Sequence, residues 1–61
     1  MTQNEAAKKA GITQGFLSLI VTGQRRPAWS LAKALAELTK TDVAVWMEGD
    51  EQKKRDALRA A

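Results

Sequence analysis

The chain has neither cysteine nor histidine among its 61 residues, and this absence limits how so short a chain can fold. No disulfide framework is possible, and a zinc site would have to use carboxylates alone, which zinc rarely accepts. A domain of this size buries only about 60% of the surface that its unfolded chain exposes. Packed helices or self-association must therefore stabilise the fold, and we expect no metal and no cofactor.

Helix-forming residues dominate the sequence, and no stretch alternates apolar with polar side chains for long enough to indicate a strand. Thr2 and Glu5 form a T-x-x-E capping box, which predicts a first helix over about residues 3–10. Gly11 should end this helix because glycine readily adopts the left-handed backbone of a helix C-terminus.

A second helix is predicted after Thr13, which can serve as its N-cap, and it should run to about Val21 before Gly23 ends it. The exposed basic loop of residues 24–27 follows. Its proline disfavours helical backbone at the preceding residue, Arg26, so the loop separates the second helix from the third.

Apolar residues at helical spacing predict a third helix over about residues 29–39 and a short fourth over about residues 42–47. Gly49 should break the fourth helix. Trp29 and Trp46 have the spacing of core anchors, which is the usual place of tryptophan in a small helical domain.

Residues 51–60 are mostly polar, and their apolar content is alanine and Leu58. We therefore expect a last helix that is weakly held and frays. The predicted fold is all-α with four to five helices, divided into a domain at residues 1–49 and a polar helical tail at residues 50–61.

The residues around Gly11 have the spacing of two helices that cross at a steep angle. Ala7 is small enough for a close crossing, and Ile12 can fill the corner after the turn. Leu17 and Ile20 are three residues apart and should face inward together. This pattern predicts a helix-turn-helix, although other tight helical hairpins share it.

The net charge of +3 is unevenly distributed. Residues 1–40 carry six basic and two acidic side chains, a balance of +4, whereas residues 41–61 carry four basic and five acidic ones, a balance of −1. The basic part contains the predicted helix-turn-helix and suits a polyanionic partner. A charge of this size is also common in small proteins for solubility alone.

Residues 3–27, QNEAAKKAGITQGFLSLIVTGQRRP, resemble the lambda-repressor-like family, the helix-turn-helix of Cro, repressors and xenobiotic-response-element proteins. The shared pattern runs from a glutamine through a glycine and a Thr-Gln pair to a glycine and a basic loop ending in Arg-Pro. Residues 28–46, AWSLAKALAELTKTDVAVW, are similar to short bacterial and prophage-type members. The resemblance implies sequence-specific binding of double-stranded DNA by a transcriptional regulator, in particular a repressor.

The resemblance also implies a role for individual residues, with the second helix lying in the major groove as the recognition helix. Gln14 is the main candidate for reading a base, because its amide can pair twice with adenine, which contributes about 1–3 kcal/mol of discrimination. The predicted base-reading residues are Gln14, Gly15, Phe16, Ser18 and Leu19. The predicted phosphate contacts are Gln3, Thr13, Gln24, Arg25 and Arg26.

Three departures from the family pattern affect these expectations. Phe16 and Leu19 stand where the family often has polar residues, and they can contact thymine methyl groups or form an apolar patch for a protein partner. The alternative function is therefore a protein-interaction or oligomerisation module on the same scaffold. Val21 replaces a frequent glutamate, which removes a possible polar tie to the basic loop.

The third departure is that the family has a helix before the helix-turn-helix, whereas this chain starts at the capping box. We therefore expect an N-terminally truncated domain in which Ala6 and Ala10 lose their packing partner. Their exposure would favour a homodimer, with two recognition helices about one DNA turn apart.

Several classes of function are not expected from this composition. Without an imidazole or a thiol, the chain lacks the usual base–nucleophile pairs, so we predict that it is not an enzyme. No apolar run reaches the eighteen residues that a membrane span needs. The polar N-terminus lacks the apolar core of a signal peptide, which predicts a cytoplasmic location.

Overall fold

Five α-helices form from the capping and spacing patterns of the sequence, and a computed structural model describes them over residues 1–61. In chain order they are α1 (Gln3–Ala10), α2 (Gln14–Thr22), α3 (Trp29–Thr39), α4 (Val43–Met47) and α5 (Glu51–Ala60). No strand is present, so the all-α prediction is confirmed.

Side-chain and backbone hydrogen bonds define both ends of α1. The Thr2 hydroxyl accepts a hydrogen bond from the Glu5 N–H at 3.1 Å, and the Glu5 carboxylate accepts one from the Thr2 N–H at 3.2 Å. Because the Thr2 N–H and the Thr2 hydroxyl both donate hydrogen bonds to the Glu5 carboxylate, they favour its ionised form and hold the pKa of Glu5 below its ordinary value. Gly11 then ends α1 in the left-handed conformation, with a φ of 76°.

A threonine cap and a left-handed glycine likewise define the two ends of α2. The Thr13 hydroxyl accepts a hydrogen bond from the Phe16 N–H at 3.1 Å and caps the N-terminus. Gly23, with a φ of 87°, ends the helix and turns the chain into the basic loop. A short turn therefore joins α1 to α2, and the two helices pack against each other.

The core lies where α1, α2, α3, α4 and α5 meet. Ala7, Leu17 and Ile20 are buried in it, which confirms the inward face predicted for the helix-turn-helix. Val21 is buried as well, so an apolar residue suits this position better than a charged one. The buried apolar residues are Ala6, Ala7, Leu17, Ile20, Val21, Ala32, Leu35, Ala36, Trp46, Ala57 and Leu58.

The two tryptophans behave differently. Trp46 is fully buried, and its indole N–H is shared between the hydroxyl oxygens of Thr39 and Thr41, at 3.4 and 3.3 Å. Trp29 is 60% exposed, so its predicted role as a core anchor is wrong. The physical reason is its position: Trp29 is the first residue of α3 and lies beside the open cleft between α3 and α4, so no helix covers its ring.

The last helix, α5, is held more firmly than its sequence suggests. Ala57 and Leu58 are buried in the core, and α5 contacts α2, α3 and α4. Lys54 is also buried, and its ammonium donates a hydrogen bond to the Ile20 carbonyl oxygen at 2.9 Å. The expectation of a weakly held, frayed helix is therefore wrong. The division into a domain at residues 1–49 and a polar helical tail at residues 50–61 stays a prediction.

The face of α1 that was expected to be exposed is covered. Ala6 is completely buried and Ala10 is partly buried, so the expected exposed pair does not exist. Met1 packs against the core, and its ammonium lies 3.1 Å from the Leu58 carbonyl oxygen near the end of α5. The burial of Ala6 therefore removes the reason that was given for self-association through α1.

Candidate nucleic-acid interface

The N-terminal half of α2 presents most of the residues that sequence reasoning selected as base readers. Gln14, Gly15 and Phe16 are exposed, whereas Ser18 and Leu19 are partly buried. Leu17, Ile20 and Val21 on the opposite face of α2 are buried in the core. Their packing fixes the orientation of the outward face. The first turn of α2 is therefore the most accessible part of this helix.

The basic loop is fastened to the end of α2. The backbone N–H groups of Gln24 and Arg25 both donate to the Leu19 carbonyl oxygen, at 2.9 and 3.2 Å. Pro27 is buried at the other end of the loop, whereas the side chains between these two anchors are exposed. Gln24, Arg25 and Arg26 thus form an exposed cationic segment beside the predicted recognition helix.

One contact joins the loop to the exposed face of α2. The guanidinium carbon of Arg25 lies 5.8 Å from the centre of the Phe16 ring, which is within the range of a cation–π interaction. The ring is 38% exposed. Two residues that sequence reasoning assigned to different tasks are therefore neighbours in space.

The remaining predicted contacts lie at helix starts. Gln3 is the first residue of α1 and is partly buried, whereas Thr13 is exposed but uses its hydroxyl to cap α2. Backbone N–H groups at a helix N-terminus can bind a phosphate oxygen. Both residues therefore occupy positions from which a helix end can meet a DNA strand.

Sequence reasoning missed a shallow cleft beside the basic loop. It is open to solvent, encloses about 350 Å³, and is lined by Arg26, Trp29, Val43, Ala44, Met47 and Glu48. No local sequence pattern reveals this cleft, because its lining comes from the basic loop, α3 and the region of α4, which meet only in the tertiary structure.

The structure contains neither a cluster of metal-ligating side chains nor a helix that could span a membrane. No group of three or more acidic, histidine or cysteine side chains is arranged to hold a metal ion. None of the five helices has the length and apolar character needed to cross a membrane.

Comparison with known protein families gives one match. A family model described as helix-turn-helix matches residues 1–46, which is most of the chain. The chain belongs to the lambda-repressor-like helix-turn-helix family. Comparison with curated proteins and with solved structures gives no significant match.

Membership of this helix-turn-helix family has a direct consequence for the partner. The family binds DNA, so the chain is a DNA-binding domain in which α1 and α2 form the helix-turn-helix. The matched segment includes α1, α2, α3 and most of α4, and it therefore contains both the exposed face of α2 and the basic loop.

Proposed function

We propose that this helix-turn-helix protein binds double-stranded DNA sequence-specifically as a transcriptional regulator, with α2 as its recognition helix in the major groove. The observation that carries this proposal is the exposed first turn of α2 beside a loop with two arginines. The rigid end of a helix holds base-reading side chains in a fixed position, and nearby arginines bind the phosphates of the DNA backbone.

Within α2, each exposed residue has a role that matches its chemistry. Gln14 pairs with adenine through its amide, and Ser18 reaches a base edge with its hydroxyl. Phe16 and the exposed part of Leu19 meet thymine methyl groups. Gly15 has no neighbour within 4 Å of the position a Cβ would take, so at this residue the helix backbone itself can approach the groove closely.

The phosphate contacts come from both sides of α2. Gln3 and Thr13 offer the N-terminal ends of α1 and α2, and Gln24 and Arg26 extend from the basic loop. These contacts orient the protein on the duplex without selecting a sequence. Arg25 reaches the DNA from the same loop.

A selection from random duplexes followed by a salt titration tests this function. Wild-type protein should enrich one sequence, and Arg26→Ala should weaken binding and reduce the magnitude of the slope of log K against log salt by about 0.9. Arg59→Ala is the matched control, because Arg59 lies on α5 outside the proposed site and is exposed. Binding with no sequence preference at any salt concentration would contradict the regulator proposal.

The same variants separate DNA binding from the alternative of a protein-interaction module. If Phe16 and Leu19 bound a protein instead, the loss of Arg26 would leave complex formation with that protein nearly unchanged. In a reporter assay, a gene placed downstream of the selected site should be repressed, and unchanged expression would exclude repression. We expect the protein in the compartment that holds the DNA, the cytoplasm of a bacterial cell.

Homodimerisation is part of the proposal, through the cleft around Trp29 rather than through α1. A large exposed aromatic ring suits a protein contact, and the cleft is lined by one cation, Arg26, and one anion, Glu48. In a two-fold pair the two exposed Trp29 rings can pack against each other at the axis, so the same surface of each subunit is buried.

Sedimentation analysis at several protein concentrations tests the dimer. Wild-type protein should associate, whereas Trp29→Ala should stay monomeric and Ser30→Ala, the exposed neighbour in α3, should associate like the wild type. Equal association of the Trp29 variant and the wild type would mean that this cleft is not the interface.

A further inference from the structure

Arg25 is attached at one end of α2, but its charged group lies near the other end. Its backbone N–H donates to the Leu19 carbonyl oxygen in the last turn of the helix. Its guanidinium nevertheless lies over the ring of Phe16, the third residue of α2. The side chain therefore runs back along the outer face of the helix towards its N-terminus.

The guanidinium of Arg25 has no other partner within the protein. The ion pairs of the structure join Arg55 to Glu51 and Arg59 to Asp56, and neither involves the basic loop. The contact with Phe16, at 5.8 Å from the ring centre, uses none of the N–H donors of the guanidinium in a hydrogen bond to the protein. Its N–H donors are thus available to a ligand on the exposed side of α2.

This placement suits a base edge better than a phosphate. The N-terminal half of a recognition helix is the part that enters the major groove, and Phe16 lies in that half. An arginine fork matches the two acceptors of guanine, O6 and N7, and an aromatic ring packs against the methyl group of thymine. Neighbouring base pairs are about 3.4 Å apart, so two groups separated by 5.8 Å can reach adjacent bases.

We propose that Phe16 and Arg25 act as one specificity-determining unit that reads a thymine next to a guanine, with Phe16 on the methyl group and Arg25 on guanine O6 and N7. The proposal rests on the DNA-binding function above and changes the role of Arg25 from a phosphate contact to a base contact. Phe16 then has two tasks, because its ring also holds the guanidinium in position.

The test starts from the sequence that wild-type protein selects from random duplexes. Each half-site should contain a thymine next to a guanine. Replacing that thymine by uracil removes one methyl group and should weaken binding about 4-fold. Replacing the guanine by 7-deazaguanine removes one hydrogen-bond acceptor of a charged donor and should weaken binding at least about 10-fold.

Matched protein variants assign these losses to single residues. Arg25→Ala removes the guanidinium, so it should bind guanine and 7-deazaguanine duplexes almost equally. Arg26→Ala is the matched comparison: it removes a proposed phosphate contact, so it should weaken binding of both duplexes by the same factor and keep the guanine preference. Phe16→Leu should lose the uracil effect only in part, since leucine still contacts a methyl group, but it should reduce the guanine preference because the ring no longer holds Arg25.

Two results would overturn the inference while leaving DNA binding intact. One is a selected sequence without a thymine next to a guanine. The other is an Arg25→Ala variant that weakens binding of the selected and the modified duplexes by the same factor, since a uniform loss marks a phosphate contact. A wild-type protein that binds no duplex would instead contradict the proposed function itself. Circular dichroism of each variant confirms that it is folded.

Discussion

Leu58→Ala is the substitution that tests most directly whether α5 belongs to the folded core. Leu58 is 4% exposed and packs in the same cluster as residues of α2 and α3. Removing a buried leucine side chain costs its transfer free energy and leaves a cavity, together about 2–5 kcal/mol. Because Leu58 lies in the last turn of α5, the end of the helix can partly collapse into the cavity, and we expect a loss of about 2–3 kcal/mol in the free energy of unfolding.

Urea denaturation followed by circular dichroism measures this loss. With a slope of about 1 kcal/mol per molar urea for a chain of this size, the midpoint should fall by about 2–3 M. A domain with one small core has only about 3–5 kcal/mol of stability, so the variant should be close to unfolding at room temperature. A shift of this size in the urea midpoint can be measured directly, without extrapolating the free energy of unfolding to zero urea.

Arg59→Ala is the matched control for this measurement, since it changes the adjacent residue on the same helix. Arg59 is exposed, and its ion pair with Asp56, at 4.0 Å, lies at the surface. Such a change should alter stability by less than about 0.5 kcal/mol. If Leu58→Ala changed the urea midpoint no more than Arg59→Ala does, α5 would be a frayed tail and its packing against the core would be refuted.

Further substitutions test the glycines and the capping box. Gly15→Ala should raise the free energy of unfolding by about 0.8–1 kcal/mol, because Gly15 lies in an exposed helix with free space around it, and should weaken DNA binding if the backbone approaches the groove. Gly49→Ala should lower it by about 1–3 kcal/mol, because the new Cβ would overlap the Val45 carbonyl group, and thermal melts compare the two variants. The stability that Glu5 contributes should be complete above its ordinary pKa and should be lost as pH falls through the lowered pKa of the folded state. When acid unfolding is followed, Glu5→Gln should lack the loss of stability in this pH range. Identical acid-unfolding curves for the variant and the wild type would contradict the capping box.

The contact between Lys54 and α2 links the core to the DNA-binding surface. Ile20 lies near the C-terminal end of α2, where unpaired carbonyl groups and the helix dipole favour a cation. The Ile20 carbonyl oxygen also accepts the Gly23 N–H at 3.2 Å, at the point where the chain leaves the helix for the basic loop. α5 therefore supports the start of the loop that carries Arg25 and Arg26.

Local patterns in the sequence determined the helices and the helix-turn-helix. Thr2, Glu5, Thr13 and the glycines act on backbone groups within four residues of themselves, so their effects can be predicted without knowledge of the rest of the chain. The inward positions Leu17 and Ile20 followed from helical periodicity alone. The exposed first turn of α2 followed from the same periodicity, and with it most of the candidate site.

Only the tertiary structure decided which helix faces are buried and which residues cover them. Trp29 and Trp46 both have core-like spacing, yet one is exposed and the other buried, because burial depends on which helices lie opposite. Lys54 looked like part of a solvated tail, but packing brings it to a carbonyl group 34 residues away in sequence. The contact between Arg25 and Phe16 depends in the same way on how the chain turns after Gly23. Sequence patterns specify local backbone structure, whereas contacts between distant segments arise only when all five helices pack together.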